Sequence, residues 1–197
     1  MTKFEFLERF QLHQLADYHA SSKIRTAHIR MDNLRQASVL IGLVERNNRL
    51  NVILTRRAQH LKHHPGQVSF PGGKVEENDR TIIDTALREA KEEIGLHYEQ
   101  VSVIGQLPKL VTITEFHVTP VLAFVDNNYQ PVIDTNEVDT LFEVPLEFLA
   151  RSENMSALNF TVRGKSHRVL SIPYKEHFIW GVTAQIIESL QTQLQLS

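Results

Sequence analysis

The sequence contains no cysteine, which removes disulfide scaffolds, zinc–thiolate sites and thiol nucleophiles from consideration. It also has little excess charge of either sign: 21 Lys and Arg stand against 23 Asp and Glu, a formal charge of −2. A chain so balanced does not coat nucleic acid through a broad basic face, although a small phosphorylated ligand needs only a few local cations. Long apolar runs are missing as well. The opening MTKFEFLERFQLHQLADYHA interrupts its apolar residues with charge, so it lacks the core of a signal peptide. No later stretch approaches membrane-spanning length. Repeats, low-complexity tracts and Pro/Gly/Ser linkers are absent too. What is present is a 197-residue chain, 42% hydrophobic, of the kind that buries its own core as one domain. A reducing cytoplasm is the simplest compartment, with a small-molecule substrate expected and neither nucleic acid nor membrane as partner.

Local patterns suggest alternating elements. Phe4, Phe6, Leu7, Phe10, Leu12 and Leu15 predict a short amphipathic helix within an N-terminal helical extension of about 1–30. Ala37–Val44 and Asn51–Leu54 read as a hairpin turned by Asn47 and Asn48. A polar, glycine-containing loop then runs from Gln59 to about Glu77. Thr81–Ile94 has helical periodicity, and Gly95 stands where a helix stops. Strands are expected at Val101–Leu107, Val118–Val125, Met155–Val162 and Arg168–Ile172, the last pair separated by Arg163-Gly164-Lys165. Pro145–Leu149 predicts a short helix, and His177–Leu194 a closing one with Trp180, Ala184, Ile187 and Leu190 on one side. The order implies an α/β (α+β) sandwich with a mixed sheet rather than a doubly wound parallel one.

The segment TIIDTALREAKEEIGL carries the chemistry. At about 100° per residue from Ile82, the apolar positions Ile82, Ile83, Ala86, Leu87, Ala90 and Ile94 cover an arc of about 140°. Glu93 falls inside this arc at about 20°, and Glu89 on its edge at about 340°. Glu92 and Arg88 follow at about 280° and 240°, forming a charged flank. A solvated face would lie opposite the apolar stripe, as Lys91 does. Carboxylates at i, i+3 and i+4 instead repel one another by a few tenths of a kcal/mol per pair. Arg88 offsets one such charge. A divalent cation held by hard oxygen ligands would offset the rest, and magnesium or manganese suits such ligands.

Gly72-Gly73, just ahead of this helix, permits either a tight turn or close approach to a ligand. The preceding Arg56, Arg57, Lys62, His63 and His64 make a basic loop that reads equally as surface or as phosphate contact. His60, His63 and His64 lack a zinc-ligand spacing. Taken together, a carboxylate-lined metal site, a glycine turn and a basic loop are the parts needed to cleave a phosphoanhydride.

Gly73–Leu96, GKVEENDRTIIDTALREAKEEIGL, resembles the Nudix box. Arg88, Glu89, Ala90, Glu92, Glu93, Gly95 and Leu96 match its second half; Asp79 stands where the first Glu is expected, with one extra residue before Arg88. Upstream, Leu54-Thr55, Arg57-Ala58, Lys62, Gly66 and Phe70-Pro71-Gly72-Gly73 resemble the signature of the coenzyme A diphosphatase branch, where the lengthened loop and the Asp are familiar. The ending FIWGVTAQII also looks like that branch.

The resemblance implies a Nudix-type α/β/α sandwich that binds Mg²⁺ or Mn²⁺ through Glu89 and Glu93, with Glu92 as a further ligand or a water-positioning group. It implies that Arg88 orients the carboxylates, that Gly72 and Gly73 shape the substrate loop, and that Arg57 and Lys62 hold phosphates. The general base stays open between Glu92 and Glu115. The implied reaction splits coenzyme A or its derivatives. The alternatives are hydrolysis of ADP-ribose or another nucleoside diphosphate derivative, and a non-catalytic nucleotide-binding regulator. A homodimer is compatible with family habit.

Overall fold

A computed structural model describes residues 1–12, 18, 26, 29–162 and 165–194. Helix α1 (Lys3–Leu12) leads into the hairpin of β1 (Arg35–Arg46) and β2 (Arg49–Arg57). The two turn residues, Asn47 and Asn48, both have positive φ, 51° and 60°. That is what a two-residue turn matching strand twist requires, and asparagine tolerates it better than most residues. Short strands β3 (Val68–Ser69) and β4 (Gly72–Lys74) precede α2 (Ile82–Ile94); β5 (Val101–Gln106), β6 (Leu110–Val111), β7 (Phe116–Val125) and β8 (Val138–Pro145) follow. The chain continues through α3 (Leu146–Ala150), β9 (Ser156–Val162), β10 (Lys165–Tyr174), β11 (His177–Trp180) and α4 (Val182–Leu194).

Eight strands form one mixed sheet along the path β3-β2-β1-β7-β5, with β4 on β1, β6 on β7 and β8 on β2. The β1–β7 pair is parallel, from Arg35 opposite Phe116 to Val44 opposite Val125, and the other pairs are antiparallel. Strands β9, β10 and β11 make a second, antiparallel sheet.

Successive strand residues point to opposite faces, so each central strand supplies two cores. On one face Leu40, Val44, Ile53, Val121 and Ala123 meet Ala86, Ala90 and Ile94 of α2. On the other, Ile41, Leu43, Leu54, Leu122 and Phe124 share a core with Phe6 of α1 and Ile186, Ile187 and Leu190 of α4. Burial on both faces is why β1 and β7 read as nearly continuous apolar runs. The result is the expected α/β/α sandwich with a mixed sheet. Among the described residues no helix is long and apolar enough to cross a membrane.

Three local expectations need correction or extension. The closing helix begins at Val182, not at His177. His177 and Ile179 are buried while Phe178 and Trp180 are exposed, a period of two that pairs with β10. Gly181, at φ 66°, turns the chain from that strand into the helix. Trp180 therefore leaves the predicted helix face, whereas Ala184, Ile187 and Leu190 stay on it, all buried. The loop after Gln59 contains β3 and β4. Strand β8, whose VDTLFEVP lacks a clear alternation, was not legible at all. Leu15 and the turn at Arg163 and Gly164 lie outside the described residues.

Helix α2 is tightly delimited. Thr81 accepts a hydrogen bond from the Asp84 backbone N–H, and the Asp84 carboxylate accepts from Thr81 N–H, which closes a capping box. At its other end Gly95 is left-handed, φ 69°, and donates to backbone carbonyls of the last turn. A β-carbon at Gly95 would also lie 2.9 Å from the Val132 side chain. Gly95→Ala is expected to lower stability by about 1–3 kcal/mol, seen as a lower urea midpoint with an unchanged denaturant slope.

Candidate active site

Helix α2 is amphipathic with an error built in: two glutamates lie on its inward side. Glu93 has a side chain only 3% exposed and Glu89 14%, whereas Glu92 is 59% exposed. The wheel drawn from sequence orders these three correctly. Strand β4 hydrogen-bonds to β1, Ser38 opposite Gly73, and this lays the glycine backbone across the inward glutamates. A β-carbon on Gly73 would overlap the Glu89 carboxylate. A larger residue there would displace that carboxylate from its place beside Arg88.

Burial pushes Glu93 up to about 8; the charges of Glu89 and Glu137 push the same way, while Arg57 and a backbone hydrogen bond from Gly72 oppose them. Glu89 is raised chiefly by burial too, with Glu92 and Glu137 adding to the rise and Arg88 opposing it. One oxygen of Glu93, Oε2, is buried and has no hydrogen-bond partner among the described residues. Arg57 Nη1 stands 3.9 Å from the other, Oε1. A buried carboxylate normally has its oxygens satisfied or its charge paired. Two raised, adjacent carboxylates and an orphaned oxygen therefore fit a divalent cation with hard oxygen preference.

Arg88 fixes the frame. Its Nε and Nη2 grip both oxygens of Asp79, each at 3.0 Å, while Nη1 donates to Glu89 at 3.0 Å and Glu92 at 3.2 Å. Nη2 also donates to the Lys74 carbonyl at 2.9 Å, tying the helix to the glycine strand. Asp79 further accepts from Thr85 Oγ1 and the Glu76 N–H, both at 2.9 Å. These bonds, that to Arg88 foremost, hold Asp79 down to about 2. Glu92 is thus bonded to Arg88 on the exposed flank, and no three His, Asp or Glu side chains among the described residues form a ready-made metal cage.

Beside the acids opens a cavity of about 470 Å³ whose walls include Arg57, Gly72, Gly73 and Lys74. The remaining lining mixes apolar side chains, Phe70, Val111, Ile113, Phe116, Trp180 and Val182 among them, with His63, His64, Gln67 and several serines and threonines, and no Asp or Glu belongs to it. The structure thus brings together Arg57, Gly72, Gly73, Arg88, Glu89, Glu92 and Glu93. Lys62 is exposed and outside the cavity lining, whereas its neighbours His63 and His64 are within it. Glu115 occupies an exposed turn at φ 62° between β6 and β7, and its neighbours Thr114 and Phe116 line the cavity.

Sequence reasoning missed two contributors. Asp79 was visible as a departure from the box, yet nothing in its spacing showed it gripping Arg88. Glu137 lies in the unpatterned stretch before β8, and no local signal announces that the sheet carries it toward Glu89 and Glu93.

Asp79 titrates below its ordinary value, so its contribution to stability is complete above about pH 4 and fades as pH falls toward 2. Asp79→Asn is expected to lose on the order of 2 kcal/mol at pH 7. Urea unfolding should show the gap to the parent closing as pH is lowered through this window.

Comparison with known proteins identifies the family and the fold. A family model described as NUDIX domain matches residues 34–161. A relative from Enterobacter sp. (strain 638), described as "Uncharacterized Nudix hydrolase NudL", is 40% identical over 98% of this chain and 95% of its own. One of the same description from Citrobacter koseri is 43% identical over 82% of this chain and 84% of its own. Among solved structures, the NUDIX domain of Shewanella oneidensis NrtR, complexed with ADP ribose, superposes with a TM-score of 0.52 at 17% identity. That match covers 98% of this chain and 99% of the other, and it shows a shared fold. Matched by the family model over most of its length, and by relatives of such identity almost from end to end, the chain belongs to the Nudix hydrolases, enzymes acting on phosphoanhydride bonds.

Proposed function

We propose that the protein is a divalent-metal-dependent hydrolase of the diphosphate in coenzyme A or its derivatives. The observation that carries the reading is the buried Glu89–Glu93 pair, with its orphaned oxygen, set against Gly72–Gly73 at the wall of a cavity. Glu89 and Glu93 would hold Mg²⁺ or Mn²⁺, with Glu92 supplying a further oxygen from the flank. Such an ion supplies charge neutralisation at the phosphate oxygens and a more acidic water.

The chain's own groups do the rest. Arg88, anchored by Asp79, orients Glu89 and Glu92. Arg57 binds phosphate oxygens from the cavity wall, Lys62 would reach them only from the exposed loop outside the lining, and the glycine backbone lets the diphosphate approach closely. Water attacks one phosphorus, the bridging P–O bond breaks, and two phosphate monoesters leave: 3′,5′-ADP and 4′-phosphopantetheine or its acylated form. Glu92 and Glu115 are the carboxylates available to take the proton from water. Glu92 stands with the pair, while Glu115 is on the exposed turn at the cavity's rim. The coenzyme A assignment is supported by the Leu54–Gly73 signature, which folds into the cavity wall at Arg57, Phe70, Gly72 and Gly73.

The direct test is a product assay on coenzyme A, ADP-ribose and a dinucleoside polyphosphate with Mg²⁺ or Mn²⁺. Release of 3′,5′-ADP from coenzyme A is expected, and a preference for ADP-ribose would refute the substrate while sparing the chemistry. Glu93→Gln should fold normally, lose Mn²⁺ binding by calorimetry, and lose turnover by about 100-fold or more. Undiminished turnover would exclude the metal role. Glu92→Gln is expected to cost more turnover than Glu115→Gln, and the reverse order would make Glu115 the base.

A further inference from the structure

The cavity continues onto an apolar shelf for which cleavage of the diphosphate has no use. In the second sheet, Leu170, Ile172, His177 and Ile179 face inward and are buried. The alternate positions Leu158, Phe178 and Trp180 face out, although Ser171 on the same face is buried. Leu158 is 44% exposed, Phe178 51% and Trp180 41%. Cross-strand pairing aligns them, with Val169 opposite Leu158, Ser171 opposite Trp180 and Pro173 opposite Phe178. Val169 and Trp180 belong to the cavity lining as well. Shelf and cavity are therefore one surface, which carries Arg57 and Lys74 at Gly72–Gly73, polar side chains such as His64, Gln67 and Thr112, and the exposed hydrocarbon of the shelf.

We infer that this surface binds an uncharged alkyl chain on the non-nucleotide arm of the substrate, so that acyl thioesters of coenzyme A are preferred to the free thiol. The inference rests on the proposed function for where the diphosphate lies. A sugar arm could pair with lining groups such as Gln67, Ser69 and Thr112, but it would leave the hydrocarbon of Leu158, Phe178 and Trp180 in water. A second nucleotide would bring further phosphates into contact with Val111, Ile113 and Val182. In an acyl thioester the hydroxyl and amides of the pantetheine arm can pair with Gln67, Ser69 and Thr112 while the alkyl chain beyond it covers the shelf, and a contiguous exposed apolar surface of this kind marks a binding site. A flat partner protein would cover the shelf but leave the cavity unfilled; a flexible chain occupies both.

Trp180 is the single tryptophan of the chain, so its emission reports on this surface alone, independently of hydrolysis. Metal-free protein titrated with coenzyme A and its acetyl, hexanoyl and decanoyl thioesters should show emission shifting to shorter wavelength as the chain lengthens. Affinity should tighten by about two- to fourfold per added methylene until the surface is covered. Ile113→Asp, at a position 70% exposed and so tolerant of change, should flatten this dependence. Equal affinity and equal emission for coenzyme A and its decanoyl thioester would overturn the inference. So would a ligand-free emission shift that follows protein concentration, because the shelf would then be an interface between copies of the chain. Should the emission and affinity follow chain length while the metal-loaded protein hydrolyses none of the four, the proposed function fails and the alkyl site stands. Hydrolysis without discrimination by chain length leaves the function and removes the alkyl site. Binding of none of the four refutes both.

Discussion

The architecture around the site follows from one unfavourable act: two carboxylates on the same helix are taken out of water side by side. Charge in such a place costs free energy unless something opposes it. Every nearby oddity answers that cost. Gly73 withdraws its side chain so that Glu89 has somewhere to lie, and Arg57 brings a guanidinium to Glu93. Arg88 could swing away from the pair if it were free. Asp79 holds it by two bonds, and the Lys74 carbonyl holds it by a third. The site is therefore rigid before any ligand arrives, which is the condition under which a charged centre acts without reorganising.

The legible part of the fold was its periodic part. The α2 wheel placed Glu93 inside, Glu89 at the edge and Glu92 outside, because side-chain direction in a helix follows position alone. The Asn47-Asn48 turn and the Gly95 stop were equally local, each set by a residue's tolerance of positive φ. What escaped was decided by neighbours distant in sequence. His177–Trp180 borrows its strand conformation from β10, and β8 exists because β2 offers it a hydrogen-bonding edge. Glu137 reaches the acids only through that pairing. The same holds for the cavity, whose walls come from several stretches of chain far apart in sequence.

Two kinds of recognition thus meet at one glycine strand. On its helix side lie carboxylates and guanidinium groups, positioned to within a hydrogen bond. On its cavity side Arg57 and Lys74 stand among polar side chains and hydrocarbon such as Phe70, Ile113 and Trp180. On the proposed reading, a substrate spanning the strand would be read by both.

The parallel alignment of β1 with β7 bears on how the protein comes into being. Residues 35–44 pair with residues 116–125, so some eighty residues of chain, α2 and both glycines among them, lie within the loop that this pairing closes. Loop closure costs entropy before any contact repays it, and contacts between remote segments slow folding. The capped helix gains its local bonds early and cheaply. The pocket for its glutamates, by contrast, exists only once the ends of that long loop have met, so the pace at which a new chain becomes competent is governed by topology rather than by helix propensity.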